Sequence, residues 1–299
     1  LKNISGLFQS TGKVTMIQLG LIGYPVSHSL SPKIHAAALQ ACGLEGNYSL
    51  FPVQPEDKKG LQDLLSRLCS GDIQGLNVTI PHKQNVIPFL DELTPTAEAI
   101  GAVNTIHLHK NKIIGDNSDA AGFLADLKKF LTTEAQRHGA RNTLVLGAGG
   151  SARAVIFALV NDGWKVTIAA RRIEQAGQLA DSFKNYCEAS LWDQLRITDF
   201  TLSTIDFSDM TLLVNTTPIG MTPHIDQSPL PKHLLLPRHV SIYDLVYNPR
   251  ETKLVRDARA QELKATTGLG MLIEQAALSF EIWTGCNPSR ELLFDAVKP

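Results

Sequence analysis

Cysteine, long apolar runs and an excess of charge of one sign are all scarce in this sequence. The four cysteines form no Cys-x-x-Cys pair and stand far apart, at positions 42, 69, 187 and 286, which predicts buried reduced thiols in a reducing compartment. No apolar run approaches the roughly 20 residues that a transmembrane helix needs, so we expect no membrane partner. The 28 basic and 29 acidic residues leave a net charge of −1, which argues against nucleic acid as a standing partner.

What the sequence does contain is the composition of a soluble globular protein, with 43% hydrophobic and 19% charged residues. Its 299 residues are long for one compact core and sufficient for two domains. Residues 1–15 show neither a signal-peptide nor a transit-peptide pattern, and we interpret them as an extension without a catalytic role. We therefore expect a cytoplasmic protein.

Strand and helix patterns alternate through the first 118 residues. Short apolar runs predict strands at 17–23, 47–53 and 75–80. Helices are predicted from a Ser31 cap to Gly43, at 55–69 and near 83–93, and a strand pair at 102–109 and 112–116 with a Lys-Asn turn. This alternation favours a largely parallel sheet.

A second α/β unit begins at Asp119. The pattern predicts, in order, a helix at 119–131, a loop at 132–141, a strand at 142–147, a helix at 150–162, a strand at 165–170, a helix at 173–186 and strands at 211–215 and 240–246. Two apolar helical segments, about 270–284 and 288–297, close the chain. The whole is predicted to be an α/β protein of two domains.

A glycine-rich motif joins the 142–147 strand to its helix. Gly147, Gly149 and Ala152 fit the G-x-G-x-x-G/A pattern, which is weak alone but specific between a strand and a helix. The first glycine allows a tight turn, the second lets the backbone approach a pyrophosphate, and the small third residue lets helix and strand pack closely. The motif predicts a dinucleotide site at the helix N-terminus; the alternative is a turn without a ligand.

The residues after the next strand indicate which dinucleotide is bound. An NAD site usually has Asp or Glu there, whereas this chain has Ala170, Arg171 and Arg172. Because planar guanidinium groups match phosphate oxygens, the pair predicts NADP. The alternative is two solvated surface arginines.

Polar residues follow several strands of the first half. They lie in four segments, Ser27-His-Ser29, Asn77-Val-Thr79-Ile-Pro-His-Lys83, Ala102-Val-Asn104-Thr and Asp116-Asn-Ser-Asp119. Ligands of open α/β sheets bind at the carboxyl ends of strands, so these segments are expected to converge. Hydroxyls, amides, one lysine and one aspartate suit a small polyhydroxylated acid.

From about residue 17 to 297 the chain resembles the shikimate dehydrogenase family. Besides the segments above, the resemblance rests on Gly147-Ala-Gly-Gly-Ser-Ala-Arg-Ala, Asn215-Thr-Thr-Pro-Ile-Gly-Met221, Asp244-Leu-Val-Tyr247-Asn-Pro and Gly268-Leu-Gly-Met271-Leu-Ile-Glu-Gln275. It implies a substrate domain of residues 1–118, completed by helices within 268–299. It also implies a Rossmann-like NADP domain of residues 119–267, with the active-site cleft between the two.

The resemblance implies a role for each matching position of the substrate site. Ser27 and Ser29 would hold the substrate carboxylate, with Tyr247 closing over it. Thr79, Asn104 and Gln275 would bind ring hydroxyls, with Asn77 among the substrate-binding residues. Lys83 and Asp119 would form the catalytic pair and contact the substrate.

The cofactor positions follow in the same way. The pyrophosphate would meet Gly147, Ala148, Gly149, Gly150 and Ser151; the adenosine phosphate would meet Ala170, Arg171 and Arg172; and the nicotinamide would meet Thr216, Leu245, Gly268 and Met271. Three positions depart from the family pattern: Ser118 stands for Thr, Thr267 for Asp and Ala170 for Asn. The last change removes one possible hydrogen bond to the adenosine end.

The implied reaction is reversible hydride transfer between NADP and 3-dehydroshikimate or shikimate, a step towards chorismate and the aromatic amino acids. Lys83 would donate the proton that the forming alkoxide needs, and Asp119 would orient it. Taken singly, Lys83 fits a solvated lysine, Asp119 a helix cap, and Ser27 and Ser29 a loop that satisfies its own backbone. We expect no metal site, because His107 and His109 have no third ligand nearby.

Several functions compete with this one. The nearest is a quinate/shikimate dehydrogenase of broader substrate or cofactor range, followed by a folate-type methylene dehydrogenase. A sensor domain that binds the same ligands to regulate transcription would not need Lys83 or Asp119, yet both are present. A scaffold protein is a further alternative. We expect a small-molecule substrate as partner and a monomer or homodimer.

Overall fold

A computed structural model describes residues 16–131, 141–183, 186, 195–202 and 205–298. The described chain forms two compact units. The first unit contains the residues up to Glu98, Ala102–Ser118 and the residues from Ile273 onwards, and the second contains Ala99–Gly101 and Asp119–Leu272. The predicted extension at 1–15, most of the predicted loop 132–141, and Cys187 lie outside the described residues.

The first unit is built on a six-stranded sheet in the order β2-β1-β3-β5-β6-β4. Its strands are β1 (Ile17–Gly23), β2 (Gly46–Pro52), β3 (Gly75–Val78), β4 (Glu92–Leu93), β5 (Thr105–His109) and β6 (Lys112–Asp116). Strand β1 pairs in parallel with β2 and β3, and β4 with β6, but β5 pairs antiparallel with both neighbours. The sheet is therefore largely parallel, as predicted, and the predicted strand pair is the antiparallel β5–β6 hairpin. Its Lys110-Asn111 turn has the positive φ values that a two-residue hairpin requires.

Helices α1 (Ser31–Ala41) and α2 (Lys58–Cys69) follow the predicted pattern. Leu30, not Ser31, occupies the N-cap of α1, so the predicted serine cap is wrong and Ser31 is the first helical residue. Helix α2 begins at an Asp57 cap, whose carboxylate accepts a hydrogen bond from the backbone of Gly60. Its apolar face is buried in the core of the first unit through Leu61, Leu64, Leu65 and Leu68.

The single helix predicted near 83–93 is wrong. That stretch contains α3 (His82–Asn85), a 3-10 turn at Ile87–Phe89 and strand β4. Pro88 lacks a backbone N–H and clashes with a preceding helical turn, which explains the interruption. A further helix that the sequence did not reveal, α4 (Pro95–Ile100), follows β4.

The second unit contains a six-stranded parallel sheet in the order β12-β11-β10-β7-β8-β9. Its strands are β7 (Asn142–Leu146), β8 (Lys165–Ala169), β9 (Leu195–Thr198), β10 (Leu212–Asn215), β11 (Ser241–Asp244) and β12 (Ala265–Thr267). Its helices include α5 (Asp119–Phe130), α6 (Gly150–Asn161), α7 (Ile173–Phe183) and α8 (Lys253–Ala260). This strand order is that of dinucleotide-binding folds, with the switch point between β7 and β10.

The chain ends with α9 (Leu269–Thr284) and α10 (Arg290–Asp295), close to the two predicted helical segments. Strands β9 and β12 and helix α8 were not predicted, because each is short and only partly apolar. The α/β class with two mostly parallel sheets is confirmed.

The expectation of four buried reduced thiols is wrong. Cys42, just after α1, and Cys286, just after α9, form a disulfide across 244 residues of sequence. Their spacing gave no signal because the two residues meet only where the end of the chain packs against α1, next to which α10 lies. Cys69 is a free, exposed thiol.

The part of the chain that the structure describes lacks two features. None of its helices is both long and apolar enough to cross a membrane. Nowhere in that part do three or more His, Cys, Asp or Glu side chains form a group that could hold a metal ion.

Candidate functional site

The carboxyl ends of β1 and β3 place the first two polar segments side by side. The backbone N–H of Thr79 donates to Ile22 O at 2.8 Å, and that of Tyr24 donates to Ile80 O at 3.0 Å. A Cβ on Gly23 would clash with Thr79 Cγ2, so this approach requires glycine. The loop with Ser27 and Ser29 therefore starts next to Thr79.

Within that loop the two serines differ. Ser27 is exposed, whereas Ser29 is half-buried and its Oγ accepts a hydrogen bond from the backbone N–H of Ser31 at 3.2 Å. Ser29 thus shapes the start of α1, as the alternative interpretation of the loop expected. The second Oγ lone pair leaves room for a ligand donor as well.

Lys83 and Asn104 lie on neighbouring segments of the same unit. The backbone N–H of Val103 donates to Lys83 O at 2.8 Å, and that of Val78 donates to Asn104 O at 2.9 Å. Lys83 is half-buried in α3, whereas Asn104 is buried just before β5. These backbone bonds fix the two positions relative to β3.

Asn104 and Gln275 meet directly, although 171 residues separate them. Asn104 Nδ2 donates to Gln275 Oε1 at 3.2 Å. The orientation of the Asn104 amide is set by the backbone N–H of Ser118, which donates to Asn104 Oδ1 at 2.7 Å. The sheet thus receives a polar side chain from α9.

Asn77 is buried in the first unit, and both polar atoms of its side chain form hydrogen bonds. Its Oδ1 accepts from Tyr48 OH at 2.8 Å, and its Nδ2 donates to Asn104 O and Ser279 Oγ, both at 3.0 Å. Asn77 therefore supports Asn104. Tyr48, on the other side, stacks on His35, and burial lowers the pKa of His35 to about 3, with the Asn77 side chain opposing the shift.

In the second unit, Gly147 makes the turn after β7. Its φ of +112° lies in the region that favours glycine. A Cβ there would lie 2.6 Å from Thr216 Oγ1, which itself donates to Leu146 O at 2.7 Å. The turn after β7 and the segment after β10 are thereby held together at the switch point.

Gly149 fits a bound pyrophosphate for a different reason. It occupies the N-cap of α6, and a Cβ there would meet no heavy atom of the described chain within 4 Å. The surrounding protein therefore does not require glycine at this position, whereas a phosphate against the helix N-terminus would. Ala152, fully buried in α6, allows the close packing of helix and strand that the motif predicts.

Ala170, Arg171 and Arg172 follow β8, the neighbour of β7 in the sheet. Ala170 is buried, and both arginine side chains are exposed. The two guanidinium groups are thus accessible to a phosphate at the edge where the glycine turn lies.

A buried carboxylate ties together the segments after β10 and β11. Asp244 accepts hydrogen bonds from Asn215 Nδ2 at 2.8 Å, Thr252 Oγ1 at 2.7 Å and the backbone N–H of Val246 at 3.1 Å. Burial raises the pKa of Asp244 to about 6, against the effect of these three donors. Asp244 thereby positions Leu245, the next residue.

Of the residues predicted to line the nicotinamide pocket, Gly268 lies against Leu245, and Met271 is buried in the first turn of α9. A Cβ on Gly268 would clash with Leu245 O, so only glycine fits there. Tyr243 OH donates to Asp126 Oδ2 at 2.5 Å, and Asp126 also lies against Gly270. Burial and the Asp126 charge raise the pKa of Tyr243 well above its ordinary value.

Asp119 and Tyr247 belong to the second unit, as the buried first residue of α5 and a half-buried residue after β11. Lys83 belongs to the first unit, and its pairing with Asp119 stays a prediction. Sequence reasoning missed Ser279, Tyr48, Asp126 and Tyr243. The sequence did contain a signal for Ser279, because this residue lies four positions after Gln275 and therefore on the same face of α9.

Comparison with known protein families gives three matches along the chain. A profile described as the shikimate dehydrogenase substrate binding domain matches residues 21–106. A profile described as shikimate / quinate 5-dehydrogenase matches residues 130–209, and one described as the shikimate 5'-dehydrogenase C-terminal domain matches residues 268–298.

Individual proteins resemble the chain over nearly its whole length. The shikimate dehydrogenase (NADP(+)) of Methanocaldococcus jannaschii is 40% identical over 279 residues, 93% of this chain and 95% of the relative. A crystal structure of a shikimate dehydrogenase in complex with NADP+ superposes with a TM-score of 0.84 at 38% identity, covering 94% of each chain. That of the Thermus thermophilus enzyme in complex with NADP(H) and shikimate has a TM-score of 0.79 at 37% identity, covering 94% of this chain and 98% of that one.

Proposed function

Because the chain belongs to the shikimate dehydrogenase family, we propose that it catalyses the NADP-dependent, reversible reduction of 3-dehydroshikimate to shikimate. This reaction is a step of the shikimate pathway to chorismate and the aromatic amino acids. The observation that carries the proposal is the whole-length likeness to NADP-dependent shikimate dehydrogenases, which spans both units.

The second unit is the cofactor domain in this proposal. Gly147, Gly149 and the N-terminus of α6 bind the pyrophosphate, and Arg171 and Arg172 bind the 2′-phosphate. Thr216, Leu245, Gly268 and Met271 line the nicotinamide site. When bound, NADPH supplies the hydride for the reduction.

The first unit is the substrate domain. Ser27 and Ser29 bind the carboxylate, while Thr79, Asn104 and Gln275 bind ring hydroxyls; Tyr247 closes over the carboxylate. Asn77 holds Asn104 in place through its buried bonds.

Lys83 moves the proton of the reaction. As an ammonium it donates a proton from Nζ to the alkoxide oxygen that forms on the substrate, and in the reverse direction the neutral amine accepts it. Its positive charge also stabilises the developing negative charge. Asp119 orients Lys83 and binds a substrate hydroxyl.

The test is nicotinamide absorbance with shikimate or quinate and with NADP or NAD. We expect fast reduction with shikimate and NADP and weak reduction with NAD or with quinate. Equal rates with NAD would contradict the role of the two arginines but leave the reaction intact. A folded protein that binds shikimate and reduces neither cofactor would favour the sensor.

A broader quinate/shikimate dehydrogenase is the second candidate, since the profile over residues 130–209 carries both substrate names. Quinate turnover close to shikimate turnover would favour it.

The oligomeric state, monomer or homodimer, and the cytoplasmic location stay predictions. The Cys42–Cys286 disulfide argues against the cytoplasmic location, because disulfides are rare in a reducing compartment.

A further inference from the structure

Four buried side chains of the first unit form a closed ring of hydrogen bonds. Asn104 Nδ2 lies 2.9 Å from Ser118 Oγ, and Asn104 Oδ1 lies 3.0 Å from Thr105 Oγ1. Ser279 Oγ closes the ring, at 3.0 Å from Ser118 Oγ and 2.7 Å from Thr105 Oγ1. No member is more than 4% exposed.

The backbone determines how the Asn104 amide is oriented. The N–H of Ser118 donates to Asn104 Oδ1, so Nδ2 must be the atom that faces Ser118 Oγ. Asn77 is oriented in the same way, because its Nδ2 donates to the carbonyl of Asn104, which can only accept. Asn77 Nδ2 therefore also donates to Ser279 Oγ, at 3.0 Å.

Because the orientations of both amides are known, the acceptor of each hydroxyl proton can be assigned. Ser118 accepts from Asn104, and its own proton goes to Ser279 at 3.0 Å. Ser279 is nearer than the other two acceptors, Asn104 Oδ1 at 3.2 Å and Thr105 Oγ1 at 3.3 Å. Ser279 then donates to Thr105, and Thr105 donates back to Asn104 Oδ1. Every hydroxyl in the ring donates once in the same sense, an arrangement in which each bond strengthens the next.

Ser279 also lies on the helix that carries Gln275. The two residues are four apart on α9 and face the same way. The second N–H of Asn104 donates to Gln275 Oε1 at 3.2 Å. Since the ring already supplies donors to Asn104 Oδ1, this N–H and Gln275 Oε1 form the polar pair that a ligand hydroxyl would meet.

We propose that Ser279 is a positioning residue of the substrate site. It holds Ser118 Oγ and Thr105 Oγ1, the two hydroxyls that bond the Asn104 amide, so that Asn104 and Gln275 together recognise a hydroxyl. The hydroxyl oxygen accepts from Asn104 Nδ2, and its proton is donated to Gln275 Oε1. The inference rests on the proposed function, in which these two residues bind ring hydroxyls. Ser279 itself does not touch the substrate.

The test compares two side chains of equal shape at this position. Ser279→Val removes the hydroxyl, whereas Ser279→Thr keeps it. Both variants add a methyl group to the buried position; if neither folds, Ser279→Ala removes the hydroxyl without adding one. We expect a KM for shikimate about five- to tenfold higher in the Val and Ala variants, the effect of one lost hydrogen bond. KM for NADP and kcat should stay close to those of Ser279→Thr or, for Ala, of the wild type.

Two controls separate positioning from general stability. Thr284→Val removes a hydroxyl of the same helix that bonds to Phe280 O and the Cys286 backbone, and should leave KM for shikimate unchanged. In an Asn104→Ala background, Ser279→Ala should add no further rise in KM, because the two residues act through one interaction.

An active wild type whose KM for shikimate is unchanged by Ser279→Ala would overturn this inference alone. Equal increases in KM for shikimate and NADP would also overturn it, since they would indicate a purely structural residue. A folded wild type that neither turns over nor binds shikimate would overturn the proposed function and this inference with it.

Discussion

Lys83 is the residue on which the proposed chemistry depends most. It is half-buried in a four-residue helix, next to the segment of Asn104. A lysine at the start of a short helix is unremarkable by itself; its contact with the polar segment of Asn104 at the strand ends supports the proposed role.

Replacing Lys83 with alanine should lower kcat about 10²- to 10⁴-fold, the usual contribution of a positioned acid or base. Shikimate binding, measured by calorimetry with NADP present, should survive. Lys58→Ala, at an exposed lysine of the same unit, is the matched control and should keep full activity. Near-normal turnover of Lys83→Ala would rule out the assignment.

His35 gives a residue-scale prediction about stability. It is fully buried, stacked on Tyr48 at a ring distance of 4.2 Å and close to Trp283, and its pKa falls to about 3. The unfolded chain, with a pKa near 6.5, binds this proton more readily. Neutral His35 therefore contributes its full stabilisation of the folded state above pH 6.5, and this contribution is lost as the pH falls from 6.5 towards 3.

Urea unfolding at a series of pH values tests this. For one proton, the free energy of unfolding should fall by about 1.4 kcal/mol per pH unit in that window. His35→Phe should flatten this part of the profile, whereas His239→Gln, at an exposed histidine, should leave its slope unchanged. An identical slope in wild type and His35→Phe would show that His35 does not control acid stability.

At the scale of elements, the β7–α6 turn separates folding from ligand binding. Gly147 has a positive φ and the Thr216 hydroxyl in its way, whereas Gly149 has an ordinary backbone conformation and open space at its Cβ. The same motif thus contains one glycine that the fold requires and one that the described protein around it does not require.

Gly149→Ala should therefore keep the Tm of the wild type and raise KM for NADP at least about tenfold, because the methyl group occupies the place of the pyrophosphate. Gly147→Ala should lower Tm in the absence of any cofactor, since alanine is strained at that φ. Thermal unfolding without cofactor, followed by NADP titration, compares the two. Equal cofactor affinity in Gly149→Ala and wild type would place the pyrophosphate elsewhere.

At the scale of the whole molecule, the end of the chain returns to its beginning. Helix α9 starts in the second unit, and the larger part of it supplies Gln275 and Ser279 to the first. The Cys42–Cys286 disulfide fastens the segment after α9 to the end of α1. The site of the first unit is therefore completed by residues far away in sequence.

Cys42→Ser/Cys286→Ser should be less stable than wild type by about 2–4 kcal/mol, the typical effect of a disulfide. Reductant should lower the Tm of the wild type but not of the double variant. Cys69→Ser, which removes the free exposed thiol, is the control and should respond to reductant like the wild type. Thiol titration should find two thiols fewer in the unreduced wild type than in the reduced protein; equal numbers would contradict the disulfide.

Many of the strands and helices of this protein, and two of its motifs, can be predicted from local sequence. Strands β1, β7 and β8 and helices α1, α2 and α6 were predicted within a few residues, because each has an apolar period and a glycine, proline or capping residue at its end. The glycine turn and the arginines after β8 were predicted for the same reason, since their chemistry is determined by adjacent residues.

Tertiary structure alone decided the rest. The antiparallel pairing of β5 with β3, the disulfide and the ring around Asn104 all depend on contacts between distant segments. The position of Ser279 on the same helix face as Gln275 can be predicted from the sequence, but its hydrogen bonds cannot, because only helix packing brings its hydroxyl within 2.7 Å of Thr105 Oγ1. A buried hydrogen bond needs two partners at the right distance, and only the folded chain sets that distance.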